Sequence, residues 1–312
     1  MSGSDVIRLG SRGSTLALWQ AGFVKSEVER HTGRAVEIVK IRTTGDMILD
    51  VPLAKVGGKG LFVKEIEEAL LSGRIDLAVH SMKDVPTDLP GGLGIVCITK
   101  REDPRDAFLS ARYARFEELP KGARVGTSSL RRQTQLLGAR PDLDIVSLRG
   151  NLDTRIRKME EGRYDAIVLA AAGILRLGWD GKIRQYLPAE LSLPAIGQGA
   201  LGIEARLGDA RTVEAVAFLD DRDTSLAVRA ERGFLKRLEG GCQVPVAAHG
   251  VTEGGAIRLS GLVGRPDGTV ILRASRTGPA SAPEELGAAL ADELLEAGGR
   301  EILEEVYRRA GE

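Results

Sequence analysis

The chain has 312 residues, 43% hydrophobic and 28% charged, more than one hydrophobic core usually supports, so two or three domains are expected. Its 44 basic and 44 acidic residues cancel, which leaves no overall basic footprint for nucleic acid, and no apolar run reaches the ~20 residues of a membrane span. Two cysteines cannot form a disulfide framework, and three histidines without ligand spacing argue against zinc or any other metal site. The opening Met-Ser-Gly-Ser-Asp lacks the basic stretch and apolar core of a signal peptide. A cytoplasmic protein is expected.

The first two thirds alternate strand and helix patterns. Val6–Leu9 reads as a strand, Leu16–Val28 as a helix, Val36–Ile41 as a strand, Leu61–Leu71 as an amphipathic helix, and Ile75–Val79 and Gly94–Thr99 as strands. From Arg124 the pattern restarts, with helices over Leu130–Leu137 and Leu152–Glu161 and strands over Ile145–Leu148 and Ala166–Ala170. Such alternation predicts α/β lobes with mostly parallel sheets. Two stretches read as crossings between lobes, Lys100–Arg105 and Leu193–Gly199, the second followed by a returning strand at Ala200–Arg206. Domain 1 is therefore expected over 1–99 and 200–219, and domain 2 over 105–193. From about Asp221 the texture changes to a helix (Ser225–Leu238), strands (Ala256–Val263, Thr269–Arg276) and a long helix (Ala282–Arg309). These predict a small α+β domain over 220–312.

Three strand-to-helix junctions share small hydroxyl residues and arginine: Gly10-Ser11-Arg12-Gly13-Ser14-Thr15, Gly126-Thr127-Ser128-Ser129-Leu130-Arg131-Arg132, and Ser147-Leu148-Arg149-Gly150-Asn151-Leu152-Asp153-Thr154-Arg155. Of the 44 basic residues 33 are arginine, so frequency alone carries nothing and placement must. In a parallel sheet, ligands gather beyond the carboxyl ends of the strands. A helix N-terminus there presents free N–H groups and a positive dipole end, and arginine adds a fork suited to carboxylates. Capping accounts for Ser, Thr or Asn at one such junction; three with arginine favour an anionic ligand. None matches a nucleotide motif.

In Val79-His80-Ser81-Met82-Lys83-Asp84-Val85-Pro86, Asp84 falls at a strand's carboxyl end rather than in a helix. It either caps a turn or faces a cationic intermediate. His80 reads as a satisfied, partly buried residue rather than a base. The glycine-rich Val56–Phe62, with Lys55 and Lys59, is equally a surface loop or a basic lid. Glu239-Gly240-Gly241-Cys242 places an uncrowded thiol after two glycines. No paired histidine accompanies it as a papain-like nucleophile requires, so it suits a thiol carrying an attached group. Cys97, inside a strand, reads as a buried structural cysteine.

Taken together, Leu16–Gln20, Gly57–Phe62, His80–Pro86, Arg101–Asp106, Gly126–Arg132, Leu148–Asn151, Leu193–Gly199 and Glu239–Pro245 resemble the porphobilinogen deaminases (hydroxymethylbilane synthases). The likeness runs from about Val6 to Arg308. It implies two periplasmic-binding-protein-like lobes with a cleft between them and a small C-terminal domain carrying the cofactor cysteine. It also implies a dipyrromethane cofactor in thioether linkage to Cys242 and porphobilinogen as substrate. Four porphobilinogens would each lose ammonia through an azafulvene-like cation and join head to tail, and hydrolysis would release hydroxymethylbilane. By resemblance Asp84 is catalytic. Ser81, Lys83, Asp84, Thr127, Ser128, Ser129, Arg131, Arg132, Arg149, Gly150 and Cys242 hold the cofactor. Arg12, Ser14, Arg149, Arg155, Arg176 and Gln198 meet substrate, with Gln198 lining the cleft or acting as a hinge. Lys55, Lys59 and Phe62 resemble a mobile lid, and a monomer without nucleic-acid or membrane partners is implied.

Two other readings compete. A non-catalytic two-lobed anion-binding protein needs the arginines but neither Asp84 nor a loop cysteine. A cysteine-dependent hydrolase or transferase would use a free Cys242 thiolate.

Overall fold

The computed structural model describes residues 6–47, 63–239 and 244–311. They fall into two compact units. One takes in residues 6–47, 63–101 and Ala200–Ser225; the other Glu102–Gly199 and the described residues from Leu226 onward.

The first unit is built on a five-stranded sheet of β1 (Ile7–Ser11), β2 (Val36–Lys40), β3 (Leu77–Ser81), β4 (Leu93–Ile98) and β10 (Leu201–Arg206), in the order β2-β1-β3-β10-β4. β1 is parallel to β2 and β3, whereas β10 runs antiparallel to β3 and β4. Four strands therefore share one direction, and the reversed one is the strand that follows the second crossing. Successive β3 residues pack into different cores, Leu77 and Val79 with Leu9, Val24 and Ile203, Ala78 with Ile66, Leu70 and Ile75. Both faces of the sheet are covered, which is why its strands read as continuous apolar runs.

The second unit repeats the plan with β5 (Asp106–Leu109), β6 (Arg124–Gly126), β7 (Asp144–Val146), β8 (Ala166–Ala170) and β9 (Gln185–Leu187), ordered β7-β6-β8-β5-β9. Here β5, the strand after the first crossing, is the antiparallel one. Phe108 faces one core with Val125 and Leu136, and Ala107 and Leu109 the other with Leu148 and Ile167. The same unit holds an antiparallel meander of β11 (Val246–Glu253), β12 (Ala256–Gly264) and β13 (Ile271–Pro279). Helices Arg222–Arg237, Pro283–Leu294 and Arg300–Gly311 close its core around Phe234, Leu259, Leu290 and Leu303.

The expected α/β class with mostly codirectional sheets and a small α+β segment thus matches the topology. Two element readings need correction. The C-terminal helix is not continuous over Ala282–Arg309: a wide turn at Leu295–Gly299 interrupts it, with Gly298 at φ 106, a conformation open to glycine and strained for other residues. Asp84 does stand in a helix, as the last residue of the 3-10 turn Met82–Asp84 that caps the end of β3. No helix of the described residues is long and apolar enough to cross a membrane.

Candidate active site

In the first unit β1 and β3 are parallel neighbours, so the segments leaving their carboxyl ends share one edge of the sheet. That edge collects Arg12, Ser14, Ser81, Lys83 and Asp84. Ser14 is the N-cap of the helix Thr15–Thr32, its hydroxyl accepting from the Ala17 amide at 3.3 Å. Here the capping account of the junction holds. Arg12 and Lys83 are half-buried and engaged in interactions of their own. Asp84 is exposed and its carboxylate accepts no hydrogen bond among the described residues. Ser81 is tied from behind by a residue given no role in the sequence reading: the buried Gln20 donates from Nε2 to Ser81 Oγ at 3.0 Å. His80 is buried more deeply than expected, and its Nε2 lies 2.9 Å from Oε2 of the buried Glu204 without either atom completing a hydrogen bond among the described residues.

In the second unit β6, β7 and β8 run in parallel, and their carboxyl ends bring the other two junctions together. Ser128 stitches them: its hydroxyl donates to Leu148 O at 2.8 Å and accepts from Leu148 N at 3.0 Å. Thr127 is buried, and its Oγ1 accepts from the Ser129 amide at 3.2 Å. The helices Leu130–Ala139 and Leu152–Glu160 start at Ser129 and Asn151, and neither side chain caps its helix. Unlike Ser14, these two junctions leave first-turn N–H groups without a side-chain acceptor among the described residues at their positive dipole ends. Arg149 and Arg155 are half-buried and engaged, with Arg155 Nε donating to Gly150 O at 2.7 Å. Arg176 ends the helix that follows β8 and donates to Gly199 O at 2.6 Å. Burial pushes its pKa down to about 10, against the pull of Glu102, so it stays a cation at neutral pH.

Arg131 and Arg132 are placed differently from a surface anion clamp. Both are buried, and both are engaged by Asp106, which is fully buried. Arg132 donates from Nε and Nη2 to Asp106 Oδ1 at 3.0 and 2.7 Å and from Nη1 to Val168 O at 3.1 Å. Arg131 gives Nη1 to Asp106 Oδ2 and to Leu193 O at 2.8 and 2.6 Å, while its buried Nε has no partner among the described residues. Ser192 Oγ adds a bond to Asp106 Oδ2 at 2.7 Å. Burial alone would raise Asp106, but the charges and hydrogen bonds of the two guanidiniums hold its carboxyl far below the usual carboxylate range.

Of the two roles expected of Gln198, lining a cleft or acting as a hinge, its burial disfavours the first. Gln198 is 1% exposed, and its amide donates to Pro104 O at 2.6 Å and Asp106 Oδ1 at 2.9 Å. Those bonds use it to join the two crossing segments. Asp106 itself escaped the sequence reading because an acid between Arg105 and Ala107 looks like surface. The signal was its place opening an otherwise apolar run, Ala107-Phe108-Leu109. Cys242, Lys55, Lys59 and Phe62 lie outside the described residues.

An anionic, polycarboxylate group fits these edges. The second unit offers two uncapped helix N-termini, an orphaned buried donor at Arg131 Nε, and two buried arginines sharing one buried carboxylate. That cluster carries one unbalanced positive charge, and burying charge without a counterion is costly.

Family models of known proteins match the chain in two blocks. Residues 7–214 match the dipyromethane cofactor binding domain of porphobilinogen deaminase, and residues 225–296 its C-terminal domain. The chain is 62% identical over 304 residues to a porphobilinogen deaminase from Pelobacter propionicus, covering 97% of this chain and 98% of that protein. It is 60% identical to one from Geobacter sulfurreducens, covering 97% and 95%. Among solved structures, the methionine binding protein MetQ is similar at TM-score 0.46 and 15% identity, over 70% of this chain and 90% of that one. A methionine-bound nutrient binding protein from Burkholderia cenocepacia is similar at 0.43 and 14%, over 68% and 90%.

Proposed function

The chain belongs to the porphobilinogen deaminase family, and from that premise we propose how its own residues divide the work. The reaction joins four porphobilinogens head to tail with loss of ammonia, and hydrolysis releases hydroxymethylbilane. The dipyrromethane cofactor supplies a tethered pyrrole whose free α-carbon is the nucleophile. Cys242 is its thioether anchor and not a nucleophile renewed in each turnover.

Asp84 is the catalytic carboxylate. Deamination of an aminomethylpyrrole develops positive charge on the ring, and a fixed carboxylate facing the pyrrole N–H groups stabilises that charge as it forms. The observation that carries this role is an exposed Asp84 side chain with no bond of its own among the described residues, on a turn whose neighbours Met82 and Val85 are buried. An acid already spent on a cap or an ion pair would have little to offer a developing cation. Its free oxygens also suit it to accept and return a proton at the departing amine.

Arg12, Arg149, Arg155 and Arg176 hold the acetate and propionate groups, with Ser14, Ser81, Lys83, Thr127, Ser128, Ser129 and Gly150 lining the same edges. Arg131 offers its Nε, unpartnered among the described residues, to one cofactor carboxylate, and Arg132 supplies charge from behind. Gln198 joins the crossings and touches no substrate. The enzyme works as a cytoplasmic monomer without nucleic acid or membrane, in three domains: 1–99 with 200–219, 105–193, and 220–312.

Two measurements test this reading. The intact mass of protein from a host that makes porphobilinogen exceeds the chain mass by one dipyrromethane; an unmodified chain refutes the anchor. Asp84→Ala keeps that adduct and loses turnover, and substantial residual activity removes Asp84 from its role.

A further inference from the structure

We infer that Met82, seated over Gly202, is a positioning residue that fixes where the Asp84 carboxylate stands; the inference rests on the catalytic reading of Asp84. Because the Asp84 side chain accepts no bond among the described residues, its place is set by the backbone of the turn that carries it. That turn is held at both ends. Met82 is 1% exposed, and its amide donates to Ala200 O at 3.0 Å. Val85 is 3% exposed, and its amide closes the turn on Met82 O at 3.3 Å.

The Met82 side chain fits there because residue 202 has no Cβ. One built on Gly202 would overlap the Met82 sulfur and lie 3.3 Å from Met82 Cγ and 3.4 Å from Ile95 Cγ2. Gly202 does not have a positive φ, so the backbone does not demand glycine; the space does. A glycine inside a strand forfeits packing and costs entropy, and here that loss is offset by seating Met82. Gly202 stands opposite His80 in the β3–β10 ladder, and His80 and Glu204, buried 2.9 Å apart, flank the seat. A larger residue at position 202 therefore displaces the Met82 side chain, and whatever strain this buried side chain cannot shed by changing rotamer passes into the turn. Asp84 is two residues further on.

The test is steady-state kinetics on holoenzyme whose adduct is confirmed by intact mass. Met82→Ala lowers kcat at least tenfold with KM within about twofold, and Met82→Leu, which refills the seat, stays within about threefold of the parent. Gly202→Ala lowers kcat tenfold or more. Adding Met82→Ala to it leaves kcat near that of Met82→Ala alone, because the side chain that the added Cβ would displace is already gone. A purely structural role predicts lower stability with unchanged kcat in the folded protein. Parental kcat in Met82→Ala, in a background where Asp84→Ala is inactive, overturns the inference, as does a double variant that loses the product of the two single losses. An active Asp84→Ala instead overturns the catalytic reading itself. Where Gly202→Ala gives no folded protein, the Met82→Ala and Met82→Leu pair decides alone.

Discussion

Arg131 and Asp106 meet as a two-point ion pair sealed from solvent, Nη1 to Oδ2 at 2.8 Å and Nη2 to Oδ1 at 3.2 Å, with side chains 4% and 0% exposed. Arg132 takes the other flank of the same carboxylate. One acid thus orients two cations, and removing it leaves both buried and unpaired. Breaking such a cluster typically costs about 3–5 kcal/mol. Asp106→Asn is therefore expected to lose stability of that order at pH 7, read by chemical denaturation. The pH dependence has a definite sign. Asp106 is depressed in the folded protein, so its contribution is complete above the unfolded carboxylate pKa of about 4 and is lost as pH falls below it. The gap between parent and variant should be flat from pH 8 to 5, then close by about 1.4 kcal/mol per pH unit. A gap that widens in acid removes the charge argument.

Cysteine labelling separates an anchored Cys242 from a free one. Burial pushes the Cys97 thiol up to about 12, with Asp220 adding to it, so Cys97 is neither ionised nor accessible near pH 8. Native protein should take no iodoacetamide at that pH. After unfolding it should take one equivalent, on Cys97, since a thioether at Cys242 cannot react. Two equivalents after unfolding would mean that nothing is attached.

Much of this arrangement was legible in the sequence because it is written in local pattern. The junctions at Arg12, Arg131 and Arg149 follow apolar strands and precede helical periodicity, so the carboxyl edges could be placed from neighbours alone. Asp106 could not, because its partners lie 25, 26, 86 and 92 residues away. The burial of Gln198 was hidden for the same reason: a polar residue between glycines reads as exposed until its partners in the other crossing are known. β5 and β9, at four and three residues, are too short for period-two alternation to register. Ser14 and Ser129 look alike in sequence, yet one caps its helix and the other does not, and their backbones differ, with ψ 151 at Ser14 and 115 at Ser129.

Gly150 is a place where backbone and site meet. Its φ of +111 is one that side chains rarely adopt, and an added Cβ would come within 2.8 Å of Thr154 Cγ2. Its carbonyl also accepts the Arg155 Nε bond at 2.7 Å. Gly150→Ala must either strain the turn, at about 1–3 kcal/mol, or rotate it and release Arg155. Turnover is expected to fall at least tenfold with far-UV circular dichroism unchanged. Full activity would show that Arg155 does not depend on this geometry.

Gln20 and Ser81 give the last prediction. The Gln20 amide is 4% exposed and reaches Ser81 Oγ at 3.0 Å, linking the helix after Arg12 to the strand end that leads into Asp84. Gln20→Leu keeps the volume and leaves the serine hydroxyl without this donor, while Ser81→Ala strands the buried amide. A neutral hydrogen bond of this kind contributes about 0.5–1.5 kcal/mol net, and the stranded partner costs about 1–3. Each single variant should therefore lose stability, and the double should lose less than their sum by about 1 kcal/mol. Denaturation midpoints for the four proteins measure that coupling. Strict additivity would mean that the two side chains do not hold each other, and that Ser81 is oriented by something else.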